Sequence, residues 1–183
     1  MCDPGHFSEV SGSAICQPCP AGRYAPYAGA GYCSLCEPGL YVSTTGNTSC
    51  VLCPAGTFNR FYGATTLADC KQCPPGKANP KPGASECTEC EPGYYSGTPG
   101  QLSCTACPAG TFNPNTASPG IEHCSGCPEG TYSTVEGATT PAVCQGCPAG
   151  TYNPVLGGNS IASCLSCPTG TYNDLTKQMA CTP

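Results

Sequence analysis

The sequence predicts a small disulfide-rich protein, mainly β and irregular, built as an elongated solenoid of ten 17- or 20-residue β-hairpin repeats with almost no helix. Three observations predict it. The pattern Cys-Pro-x-Gly-x-aromatic, polar loop, Cys recurs along the whole 183-residue chain. All 20 cysteines fall into it, half as openers and half as closers. No segment sustains the 3.6-residue apolar period by which a helix buries one face. Recurrence at about 20 residues marks stacked units, none of which can bury a core alone.

The repeats span 2–18, 19–35, 36–52, 53–72, 73–89, 90–106, 107–126, 127–146, 147–166 and 167–183, numbered 1 to 10 below. The last stops where the pattern demands another cysteine, so the chain reads as part of a longer array. Uniform linkers leave no hinge, and a single continuous rod is expected. At ~10 Å per layer its length is on the order of 100 Å.

Composition excludes an ordinary core. Leu, Ile, Val and Phe together make only 21 of 183 residues, and Trp is absent. That falls below the ~20% at which a highly charged chain is disordered. The net charge is only −5, however, and the cysteine content is that of a covalent scaffold. On chain-entropy grounds, closing a loop of about 15 residues stabilises by ~3 kcal/mol. So many paired cysteines require an oxidising compartment, hence an extracellular, secreted or cell-surface protein. No apolar run approaches the ~20 residues of a membrane span, and Met1 leads straight into Cys2 without a signal-peptide core.

Within each repeat the residues divide the work. Gly stands three residues after every opener, as Gly22 and Gly56 do, and reads as a tight turn with φ > 0. Repeats 1, 3 and 6 place Pro one residue later (Pro4, Pro38, Pro92), which predicts a turn starting one residue later. Two residues past the Gly comes an aromatic in every repeat but the fifth, where Ala78 stands. Each ring is expected to pack on a disulfide and on the next turn, giving a spine one ring wide. A second Gly lies four residues before the closer in most short repeats, or seven before in three long ones, and marks a hairpin return. Leu67, Ile121 and Ile161, three before the closer in long repeats, are expected to pin the longer loop down.

Nine Cys-x-x-Cys pairs raise the question of zinc. Structural zinc gathers four ligands at a time. Here every pair is split by a repeat boundary and nothing groups the cysteines in fours, so no metal and no cofactor is expected. A redox role needs a helix N-terminus or a cation to lower a thiol pKa, and the pattern offers no helix. There is no nucleophile beside a base, no carboxylate pair and no phosphate loop, so the chain is not read as an enzyme. His6 and His123 have no ligand company. No nucleic-acid partner is expected.

Pairing within each repeat joins Cys2–Cys16, Cys19–Cys33, Cys36–Cys50, Cys53–Cys70, Cys73–Cys87, Cys90–Cys104, Cys107–Cys124, Cys127–Cys144, Cys147–Cys164 and Cys167–Cys181. It gives each repeat its own staple and is the favoured connectivity. Interleaved pairing across boundaries stays open, because spacing alone does not fix connectivity.

Cys127-Pro-Glu-Gly-Thr-Tyr…Cys144-Gln-Gly-Cys147 resembles the ephrin-receptor-like cysteine-rich repeat. It is also similar to the first module of tumour-necrosis-factor-receptor repeats, closed by one disulfide within the module. The resemblance covers essentially the whole chain. It implies receptors, surface antigens of single-celled eukaryotes, or shafts of flagellar hairs (mastigonemes). The alternating two-disulfide modules of the receptors are missing.

Only 9% of the chain is charged, against ~25% typically, so glycans or neighbouring chains are expected to cover the surface. Asn47-Thr-Ser49 is the one N-glycosylation sequon, and Thr44, Thr45, Thr65, Thr66, Thr98, Thr139 and Thr140 are O-glycan candidates. Arg60, Lys71, Lys77 and Lys81 hold four of the six basic charges, followed by Glu86, Glu89 and Glu91, and form a candidate contact patch. The expected function is an extracellular structural rod, the shaft of a glycosylated surface filament or appendage. Its partners are further copies or other extracellular filament and surface proteins. A receptor or adhesion ectodomain binding a protein ligand is the alternative.

Overall fold

A computed structural model describes residues 1–183. It contains nine two-stranded sheets, each strand two residues long. In eight of them an antiparallel register pairs the aromatic and its predecessor with the two residues between closer and next opener. Tyr24 faces Ser34 and Phe58 faces Lys71. Repeat 10 keeps one bridge, Tyr172 to Thr182.

One turn design starts the hairpins. The residue after the opener accepts a bond from the residue three further on, as Pro20 O does from Arg23 N–H (3.1 Å) and Asp3 O from His6 N–H (3.0 Å). Proline occupies the first turn position in one case and the second in the other. The turn does not shift with the proline, as the sequence had predicted; Gly stays third in both, with φ of 79° at Gly22 and 84° at Gly5.

Disulfides close every repeat on itself, from Cys2–Cys16 to Cys167–Cys181, and no cysteine is free. Opener sulfurs are the more deeply buried: Cys19, Cys36, Cys53, Cys73, Cys107, Cys127 and Cys147 are fully enclosed. In the long repeats the three extra residues wind one 3₁₀ turn before the closer: Leu67–Asp69, Ile121–His123, Pro141–Val143 and Ile161–Ser163. The anticipated anchors Leu67, Ile121 and Ile161 each begin such a turn and face solvent, 53 to 55% exposed. They pin nothing. The turn's own backbone bond, such as Leu67 O to Cys70 N–H, holds the loop instead.

The chain forms two compact units, one of Met1–Pro74, Ala78–Thr88 and Pro99–Ser103, the other of Pro75–Lys77, Glu89–Thr98 and Cys104–Pro183. In the first, four backbone bonds join repeats 2 and 3. Cys36 N–H reaches Gly22 O (2.9 Å), Gly22 N–H reaches Val42 O (2.9 Å), Ala25 N–H reaches Asn47 O (3.0 Å) and Gly46 N–H reaches Cys19 O (2.8 Å). In the second unit, repeats 8 and 9 repeat the scheme: Cys147 to Gly130 (2.9 Å), Gly130 to Asn153 (2.8 Å), Ser133 to Gly158 (2.9 Å) and Gly157 to Cys127 (2.8 Å). Backbone groups thus find partners across repeats, since a 17-residue hairpin cannot satisfy them alone.

Contact also skips a repeat. A Cβ on Gly22 would strike the carbonyl of Gly63, and one on Gly93 that of Gly137. The turn glycine therefore answers two demands, positive φ and the close approach of backbone two repeats on. At the hairpin return, Ala117 (φ 51°) and Lys177 (φ 61°) stand where other repeats have the second Gly.

The aromatic spine is only partly realised. Phe7 does pack against Cys19, Ala25, Cys33 and Ala30 of the next repeat. The rings are half-buried, however, and Tyr172 is exposed. The deeper position is the next residue: Ala25, Val42, Asn59, Asn79, Ser96, Asn113, Ser133, Asn153 and Asn173 are all buried. Side chains alternate along a strand, so the ring shares one face with solvent while its successor turns under the neighbouring repeat.

Candidate binding groove

Asparagine fills that buried position in five repeats and clamps two of them together. Asn59 Nδ2 donates to Leu40 O of the preceding repeat (3.3 Å) and to Phe61 O (3.0 Å), while its Oδ1 accepts Phe61 N–H (3.0 Å). Asn153 does the same with Thr131 O (2.9 Å) and Val155 N–H (3.2 Å). Asn79 and Asn173 follow suit. Each clamp fixes the loop tip two residues further on, because the amide oxygen holds that residue's N–H.

In repeat 4 the tip so held is Phe61-Tyr62, 77% and 66% exposed. It borders an open groove of about 550 Å³ lined also by Phe58, Arg60, Asp69 and Lys71. The hairpin register explains the company: Lys71 lies directly across from Phe58. The Arg60 guanidinium stacks over the Phe58 ring, 5.3 Å from its centroid, an attraction between cation and ring quadrupole. Lys71 Nζ donates to Ala68 O (2.9 Å), leaving two of its three donors for another partner.

Asp69 is turned inward on backbone. Its Oδ2 accepts Thr65 N–H (3.0 Å), Thr66 N–H (2.9 Å) and the Thr66 hydroxyl (3.2 Å). The two backbone donors, first Thr66 and then Thr65, hold its pKa below the ordinary carboxylate value, with the Lys71 charge a smaller contribution. That oxygen is committed to the loop, and the other side chains bordering the groove are mainly aromatic and cationic.

Of the four basic residues singled out in the sequence, Arg60 and Lys71 share this groove. Lys77 belongs to the other unit and pairs there with Glu89 at 3.0 Å. Lys81 is held by its own N–H on Asn79 Oδ1 (3.2 Å). Asn47 is half-buried, its Nδ2 donating to Thr44 O (2.6 Å) and Thr44 Oγ1 (2.9 Å). Sequence reasoning missed the Asn clamp and the Phe61-Tyr62 tip. The recurrence of Asn six residues after an opener, at 59, 79, 113, 153 and 173, was the available signal.

The profile described as tyrosine-protein kinase ephrin type A/B receptor-like matches residues 24–70 and 81–124, about half of the chain. The array is built of ephrin-receptor-like cysteine-rich repeats. With ten disulfides, this makes it an extracellular type of domain. No curated protein matches the sequence. The ephrin-receptor-like array has no helix long and apolar enough to cross a membrane.

Proposed function

We infer that this ephrin-receptor-like array is a structural protein of the cell exterior, a disulfide-stapled rod serving as the shaft of a glycosylated surface filament or appendage. The observation that carries the reading is the recurrent backbone bonding of repeat to repeat within each unit. Gly5, Gly22, Gly39 and Gly56 each donate to the following repeat in one unit, and Gly76, Gly93, Gly130 and Gly150 do so in the other. Such bonding needs no particular side chain and resists bending between the repeats of a unit, as a shaft requires. The shortage of charge fits a surface covered by glycans or neighbours, with Asn47 as the N-linked site. Arg60, Lys71, Lys77 and Lys81 are the proposed contact residues.

A receptor or adhesion ectodomain is the second reading, favoured by the match to a receptor-like repeat and by the groove on repeat 4. Negative-stain microscopy of native material separates the two. Polymers with contacts distributed along many repeats support the shaft; a monomer whose binding maps to one or two repeats supports the receptor. Mass spectrometry before and after endoglycosidase treatment tests the glycan. An unshifted Asn47 peptide removes it.

A further inference from the structure

The charge of the two units is unequal. The unit carrying the groove has Arg23, Arg60, Lys71 and Lys81 against Asp3, Glu9, Glu37, Asp69 and Glu86, a net of −1. The other has only Lys77 and Lys177 against Glu89, Glu91, Glu122, Glu129, Glu136 and Asp174, a net of −4. In this second unit two loop tips set a carboxylate beside an exposed aliphatic. Repeat 8 presents Val135-Glu136, with Val135 45% exposed, and repeat 10 presents Asp174-Leu175, with Leu175 62% exposed. Ser133 Oγ holds Val135 N–H (3.2 Å) and Asn173 Oδ1 holds Leu175 N–H (3.2 Å), so both tips are fixed in the way the Phe61 tip is.

We propose that the repeat-4 groove is a self-association site that receives the acidic, aliphatic loop tips of repeats 8 and 10 from a second copy of this chain. Phe58, Phe61 and Tyr62 offer the apolar wall for Val135 or Leu175. Arg60 and Lys71 supply the donors for Glu136 or Asp174. The guanidinium is already ordered on Phe58, so less freedom is lost when a carboxylate arrives. Because groove and tips lie on different repeats of the same sequence, each copy offers both halves of a head-to-tail contact. The proposal rests on the structural reading above and names the partner surface within it.

The experiment compares the full chain with two charge-reversed versions in sedimentation velocity: R60E/K71E, which inverts the groove, and E136K/D174K, which inverts the tips. The wild-type chain is expected to self-associate at low ionic strength and to dissociate in ~0.5 M salt, where screening falls to a few ångströms. Each variant alone should associate at least about tenfold more weakly. An equimolar mixture of the two should regain wild-type association, because each groove then meets a tip of opposite sign. Recovery in the mixture also shows that neither variant has failed to fold. A wild-type chain that stays monomeric overturns the proposal. So does association unmoved by R60E/K71E, or a mixture that does not recover. If native material forms polymers by microscopy while the mixture fails, the shaft survives and this contact falls.

Discussion

Gly56→Ala isolates the contact that skips a repeat. Gly56 has φ of 79°, and a Cβ there would run into the carbonyl of Gly100, two repeats on. Gly150 occupies the same turn with φ of 80° and has nothing within 4 Å of its would-be Cβ. Placing alanine at positive φ costs about 1–2 kcal/mol at either site. At Gly56 an overpacking cost of about 1–3 kcal/mol is added, since the obstructing atom is backbone and cannot rotate away. The expected difference is therefore about 2 kcal/mol, or on the order of 30-fold in a local opening equilibrium.

Native-state amide exchange reads this directly. The reporters for Gly56→Ala are Cys73 N–H on Gly56 O (2.9 Å) and Gly100 N–H on Cys73 O (2.8 Å). For Gly150→Ala they are Cys167 N–H on Gly150 O (3.0 Å) and Lys177 N–H on Cys147 O (3.0 Å). Exchange at the first pair should quicken by on the order of 30-fold more than at the second. Equal acceleration at the two sites would refute the claim that close approach, beyond φ, selects glycine here.

Three further substitutions follow from the same geometry. Asn153→Ala removes the bonds to Thr131 O and Val155 N–H inside a buried site and should cost about 1–3 kcal/mol, read as lost exchange protection at Val155. Asp69→Ala should free the amides of Thr65 and Thr66; in the unsubstituted chain their protection holds above the ordinary carboxylate pKa and fades as pH falls through the lowered pKa of Asp69, which amide NMR over an acid titration follows. Lys77→Ala breaks a 3.0 Å pair between half-exposed side chains and should change stability by less than about 1 kcal/mol in denaturant unfolding.

Much of the fold was legible because it depends on local chemistry. Cysteine spacing and Gly22-type turns need only a few consecutive residues to specify them. The proline shift at Pro4 misled because a turn of this type tolerates Pro at its first or second position, and only glycine marks the register. The 3₁₀ turns escaped notice because three residues are too few to show a period. The approach of Gly56 to Gly100 spans two repeats and leaves no local trace. The groove is of the same kind. Arg60 and Lys71 stood out as charges, but their meeting on one face follows from the Phe58–Lys71 register, which the length of the intervening insertion sets.

These contacts divide the sequence into two classes of position. In a stacked array, stability comes from each repeat and its interface with the next. Here the interface is made by backbone groups, with a glycine or cysteine in most of the bonds, reinforced where asparagine sits six residues after the opener. The tip residues, two and three positions beyond that buried site (Asn59, Ser133, Asn153), contribute little to it: Phe61, Tyr62, Val135 and Leu156 all face solvent. A substitution such as Phe61→Ser should therefore leave exchange protection at Gly63 N–H, bonded to Cys36 O (2.7 Å), unchanged while altering what the surface binds. An array of this design can change partners repeat by repeat without renegotiating its fold, and loss of that amide's protection in Phe61→Ser would show that tip and scaffold are not separable.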